Sequence, residues 1–284
     1  MTIRSLISRL TISGMVFQAG AIPGRAAILF GLLMLPVFLC AQGSAHAEVG
    51  SGSGAPPILL ELFTSEGCSS CPAADALLQQ LSGTRTAAGQ AILVISEHVT
   101  YWNRLGWVDP YSADTFTERQ NRYGDRFHLD SVYTPQLVVN GSAQVVGSER
   151  SDVDAAIQRQ RAPTGVTLHV GRVNLGQTAL TFPYTADGQI PSGGMDLYVA
   201  LVDDSDESHV ARGENAGRVL RHVSVARFLV KADHISGAHS GEVSVAMPQD
   251  LIRASGRGQH VVLFLQRPGL GPVLAAASAP VAAL

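Results

Sequence analysis

The sequence predicts an α/β domain of element order β-α-β-α-β-β-α followed by a mostly antiparallel, sandwich-like β domain. Three observations carry this reading. Between residues 58 and 162, short apolar runs of strand length alternate with segments of helical spacing. From Pro163 onward, β-like runs separated by Gly/Ser/Asp/Pro turns replace that alternation. Asn140-Gly141 sits between two apolar runs, a strong hairpin signal because both central residues of that turn need positive φ.

The elements follow in order. Ile58–Phe63 (ILLELF) and Ala91–Ile95 (AILVI) are buried-strand runs. Between them Cys68 opens a helical segment, with Pro72 early, where a missing N–H is tolerated, and Leu77, Leu78 and Leu81 at core spacing. Ser112–Arg126 is polar and helix-like, with Asp114 able to stabilise its start. Leu137–Val139 and Ala143–Val146 flank the Asn-Gly turn, and Ser151–Arg161 reads as a helix capped by Ser151. In the second domain the runs are Thr167–Val173, Ala179–Tyr184, Asp196–Val202, Val219–Val230, Glu242–Ala246 and Val261–Gln266.

The first 47 residues carry the elements of a secretory signal: Arg4, Arg9 and Arg25, the 15-residue apolar run Ala26–Cys40, and the small-x-small site Ala45-His46-Ala47. A membrane anchor is the alternative, but it needs roughly 20 apolar residues, and Pro36 interrupts this run. Glu48–Pro57 is Gly/Ser/Pro-rich and reads as a flexible leader. The organisation is therefore a signal peptide over 1–47, a leader over 48–57, an α/β domain over 58–162 and a β-rich domain over 163–284. Cleavage discards Cys40 and three arginines, leaving 17 basic against 23 acidic residues, a net charge of −6. That charge, with Lys231 the one lysine, gives no nucleic-acid surface. The expected location is periplasmic or secreted, with no stable membrane span after cleavage.

Two cysteines then remain in an oxidising compartment, as Cys68-Ser69-Ser70-Cys71-Pro72. A Cys-x-x-Cys pair where a strand meets a helix suits dithiol–disulfide exchange. The helix terminus favours a thiolate on the first sulfur, and the second lies close enough to resolve a mixed disulfide. Cys68 is the expected nucleophile and Cys71 the resolving thiol. A structural bridge is the blander reading, although so short a loop gains little from a crosslink. Zinc needs two further ligands that no second cysteine pair supplies. Copper(I) held by Cys68, Cys71 and His98 stays open as a carrier reading, and so does a non-catalytic binding module. No organic cofactor is indicated, because no Gly-rich nucleotide loop follows a strand.

Around these residues the chain resembles the thioredoxin superfamily, in the strand before Cys68, the Cys68–Pro72 motif and Thr134-Pro135 before the hairpin. More narrowly it is similar to the secreted thioredoxin-like family catalogued as domain of unknown function 1223. Leu62–Pro72, His98-Val99-x-Tyr101-Trp102-x-x-Leu105-Gly106-Trp107, Val132–Gly141 and Arg212–Arg218 carry that similarity. Thr100 and Asn103 stand where the family pattern has acidic residues. The resemblance implies a mixed four-stranded sheet for the first domain, a cis Pro135 facing the sulfurs and Thr134 offering backbone hydrogen bonds to substrate. The implied partners are exported protein thiols or disulfides and a redox partner. From the residues themselves, Tyr101, Trp102, Trp107 and Tyr111 can form a wall for a peptide substrate, with Tyr101 and Trp102 the expected substrate contacts, or cover the sheet edge as local core. Glu66 reads as a solvated residue, and the six histidines from His169 to His260 as single surface side chains.

Overall fold

The computed structural model describes residues 55–160, 165–248, 251 and 258–282. The expected signal segment with Cys40, and residues 48–54 of the leader, lie outside the described residues. The first half runs β1 (Ile58–Thr64), α1 (Cys71–Leu81), β2 (Ile92–His98), α2 (Asp114–Phe127), β3 (Gln136–Val139), β4 (Ala143–Val146) and α3 (Arg150–Gln158). The elements named in the remainder are strands: β5 (Val166–Val170), β6 (Val173–Leu175), β7 (Ala179–Gly188), β8 (Met195–His209), β9 (Val219–Ile235), β10 (His239–Ala246), β11 (Gln259–Gln266) and β12 (Val273–Ala282).

β1 and β2 pair in parallel and are buried along their whole length, as expected of strands covered on both faces. On one face Ile58, Leu60 and Leu62 pack with Leu77 and Leu78 of α1 and Val153 and Ala156 of α3. On the other, Leu59 and Phe63 share a core with Phe116 and Tyr123 of α2 and with Tyr198, Val262 and Phe264 of β8 and β11. Asn140 (φ 47°) and Gly141 (φ 58°) turn β3 into β4, and Asn140 Oδ1 accepts from the Leu59 N–H at 2.7 Å.

The expected fold class is overturned here. The chain is not a thioredoxin-type α/β domain with its own four-stranded sheet followed by a separate sandwich. It carries one mixed twelve-stranded sheet, in the order β10-β7-β6-β12-β11-β8-β9-β2-β1-β3-β4, with β5 on β7. The join is a parallel bridge between Ser96 of β2 and Val225 of β9. β8 and β9, at 15 and 17 residues, far exceed the runs read from sequence. Both are long enough to serve two cores. Apolar alternation marks a strand but not which edge pairs with which, and a single bridge is enough to fuse two sheets. β12 escaped the sequence pattern for a related reason. Its alanines have little strand preference, yet Ala275, Ala276 and Ala277 are buried beside β11.

A buried polar cluster spans the join. Arg119 of α2 donates from Nε to Glu61 Oε2 at 2.7 Å and from Nη2 to the same carboxylate. Nη2 also reaches Tyr123 Oη and Gln266 Oε1, each at 3.2 Å. Its guanidinium lies 5.0 Å from the ring centre of Tyr198 and 5.5 Å from that of Phe264. Burial, and then the neighbouring Glu61 charge, push the Glu97 carboxyl well above the usual range, although Arg119 Nε stands 3.8 Å away. Burial in this core thus favours the uncharged form of Glu97.

Candidate redox site

The sulfurs sit where β1 meets α1. Cys68 N–H donates to Ser65 O, and Cys71 N–H to Cys68 O, both at 3.2 Å. This tight turn brings the two Cα atoms to 5.4 Å, and the side chains are joined as a disulfide. α1 starts at Cys71 rather than Cys68, so Cys68 lies in the turn immediately before the helix's free N–H groups. Both cysteines are fully buried, while Ser69 and Ser70 between them are exposed. Ser70 Oγ lies 3.3 Å from Cys68 Sγ.

Thr134, Pro135, Tyr101 and Trp102 gather on one side. The Thr134–Pro135 peptide is cis, and Thr134 O lies 3.9 Å from Cys68 Sγ. Trp102 Nε1 donates to Thr134 Oγ1 at 2.8 Å, and Tyr101 is tilted against Trp102 with ring centres 6.4 Å apart. Gly67 makes room for this loop, since a Cβ there would stand 3.0 Å from Trp102 Cβ. Leu105 and Val108 in the same loop are exposed.

Behind the disulfide lies a set of fully or almost fully buried polar side chains. His98 Nδ1 donates to Asp109 Oδ2 at 2.7 Å, and its Nε2 stands 3.4 Å from Ser96 Oγ. Asp109 also accepts from the backbone N–H groups of Glu66 at 2.8 Å and Tyr111 at 2.9 Å. Burial alone would raise the Asp109 carboxyl; the His98 contact and these two N–H groups hold it below the usual range. Glu66 accepts from Trp107 Nε1 at 2.7 Å and from His222 Nε2 at 3.3 Å. The other nitrogen of His222 is 3.5 Å from Asp75 Oδ2, and Asp75 Oδ1 accepts from Thr64 Oγ1 at 2.9 Å. Burial would depress His222, but the neighbouring Asp75 and Glu66 carboxylates prevail and push it up to about 10.

Residues 59–266 match the family described as "Protein of unknown function (DUF1223)". The chain belongs to this family. No curated protein matches it. Among solved structures, it is similar to a crystal structure of an Agrobacterium tumefaciens protein at 23% identity and a TM-score of 0.60, covering 80% of this chain and 95% of that one. HBP35 of Porphyromonas gingivalis is similar at 14% identity and a TM-score of 0.53, covering 81% and 76%. Likeness at these identities concerns the fold.

Within this DUF1223 chain the site draws on both halves of the sequence. The loop between β8 and β9 closes over the turn: Asn215 Nδ2 donates to Glu66 O and Cys68 O, each at 2.9 Å. Ser69 N–H donates to Glu214 Oε2 at 3.1 Å. Two sequence expectations are corrected here. Glu66 is buried rather than solvated, and His222 is buried rather than a surface histidine. His222 had one legible signal, its place between Leu220 and Ser224 on the inward-facing positions of a strand. Asp75 and Asp109 had none for their side-chain partners, Thr64 and His98, each 11 residues away, and Asn215 was legible only as part of the Arg212–Arg218 motif, since Glu66 lies 149 residues from it.

Proposed function

We propose that this chain is an exported thiol–disulfide oxidoreductase acting on protein substrates through Cys68 and Cys71. The observation that carries the reading is the bonded cysteine pair at a strand-to-helix turn, with Thr134 O beside Cys68 Sγ. In the reducing direction, the Cys68 thiolate attacks a substrate disulfide R–S–S–R′. The Cys68–S–R bond forms and R′–S⁻ leaves, taking up a proton from solvent. The Cys71 thiolate then attacks Cys68 Sγ and expels R–S⁻, which restores the bridge seen here. The substrate gains two electrons, and a dithiol partner must return them to the chain; the oxidising direction runs the same steps backwards. Tyr101, Trp102 and Thr134 flank Cys68 as the surface a peptide would meet. The copper-carrier reading fits less well. Both His98 nitrogens face partners, Asp109 and Ser96, so neither is turned to a metal shared with the sulfurs.

The test counts thiols and traps intermediates. Mass-tagging of residues 48–284 before and after dithiothreitol should reveal two thiols, and the reduced protein should turn over in an insulin-reduction or dithiol-oxidation assay. Cys71→Ser should accumulate mixed disulfides through Cys68 and Cys68→Ser few. Thiols that stay free under oxidant would sink the mechanism. So would tight copper(I) binding lost in His98→Ala together with no exchange activity.

A further inference from the structure

His222 belongs to β9, in the strand-rich half of the chain, yet its ring reaches the turn that carries the sulfurs. Its two nitrogens lie between carboxylates on different elements: Glu66, two residues before Cys68, and Asp75, one helical turn after Cys71. Residues four apart on a helix share a face, so Asp75 stands on the Cys71 side of α1. Other polar and titratable groups stand near the ring. His98 of β2 lies 4.7 Å away, ring to ring, and is itself bound to Asp109. Tyr111 is 5.8 Å away. Asp206 is the register partner of His222 on β8. A polar groove lined by Gln79, Asp206, Glu207 and Arg221 borders the buried His222, with Arg221 paired to Glu207 at 2.8 Å.

We propose that His222 is a positioning residue for the exchange reaction: as an imidazolium it neutralises the Glu66 and Asp75 side, and so sets the acidity of the cysteine thiols. This rests on the redox reading above. The physical argument is one of sign. A carboxylate near a sulfur opposes thiolate formation, and a cation beside it favours it. With His222 charged, one cation sits between two carboxylates on the turn and the helix that carry the sulfurs; the raised protonation range of the imidazole agrees with that arrangement. Deleting the cation leaves two unneutralised carboxylates. Deleting one carboxylate leaves a matched pair. Deleting both restores the original balance.

The experiment measures alkylation of the dithiol form by iodoacetamide across pH 5–10, an assay that needs no substrate and no turnover. His222→Gln should move the apparent Cys68 titration upward by about one unit, roughly tenfold slower alkylation on its acid side. Glu66→Gln should move it the other way, and the double variant should return close to the wild-type profile. The wild-type protein offers a check that needs no variant to fold: histidine side-chain NMR should show one buried imidazole still protonated at pH 8. A His222 that is neutral at pH 7, or superimposable alkylation profiles for the wild type and His222→Gln, would overturn the proposal. Neither result depends on exchange activity. An inactive protein that still shows the predicted shifts would fail the functional reading and leave the charge arrangement standing.

Discussion

Arg119→Met tests how the two halves of the chain are held together. The wild-type guanidinium side chain is 5% exposed and bound to a carboxylate that is 1% exposed. Removing the cation leaves Glu61 buried, with Tyr123 Oη still donating to its Oε1 at 2.6 Å. Breaking a buried pair from one side costs about 3–5 kcal/mol. The lost hydrogen bond to Gln266 and the contacts over Tyr198 and Phe264 would each add about 1 kcal/mol. They share one side chain and do not sum, so the expected loss is about 4 kcal/mol. That is a large share of the roughly 5–15 kcal/mol that holds an ordinary fold. The assay is urea unfolding at pH 7 with the disulfide intact, followed by far-UV circular dichroism and tryptophan fluorescence. Both tryptophans lie in the site, Trp102 bonded to Thr134 and Trp107 to Glu66, so fluorescence reports the surroundings of the cysteine turn. Because β2 bonds to β9 and one core serves both halves, the two probes should give coincident transitions. Glu61→Gln added to Arg119→Met should recover about half of the loss, since no buried charge is then left alone. A loss below about 1 kcal/mol for Arg119→Met, or two separated wild-type transitions, would refute the reasoning.

Two further outcomes follow from the same structure. His222 is raised on folding from 6.5 to about 10, so the stability it contributes is complete below pH 6.5 and is lost as pH rises toward 10. Urea midpoints at pH 6 and pH 9.5 should therefore diverge in the wild type and much less in His222→Gln; equal pH dependence in the two proteins would contradict the linkage. Asn215→Ala removes the donor shared by Glu66 O and Cys68 O and should cost about 1–3 kcal/mol. It should also speed disulfide reduction by a small phosphine severalfold, because the covering loop is released; an unchanged reduction rate would show that the loop does not limit access.

Local order was legible without coordinates. The apolar runs at Ile58–Phe63 and Ala91–Ile95, the helix behind Pro72 and the Asn140-Gly141 turn are each dictated by neighbours within a few residues, because strand alternation, helical spacing and turn chemistry are short-range. The Cys68–Cys71 pair was legible for the same reason, since four residues suffice to define it. Tertiary structure alone decided the fusion of the sheets at Ser96 and Val225, and with it the fold class, because strand-edge pairing leaves no mark in the sequence of either strand. It alone decided the charge behind the sulfurs. Glu66 and His222 read as ordinary surface residues until β9 crosses beneath the turn. There burial removes water and leaves each carboxylate and imidazole only the partners that the fold brings to it.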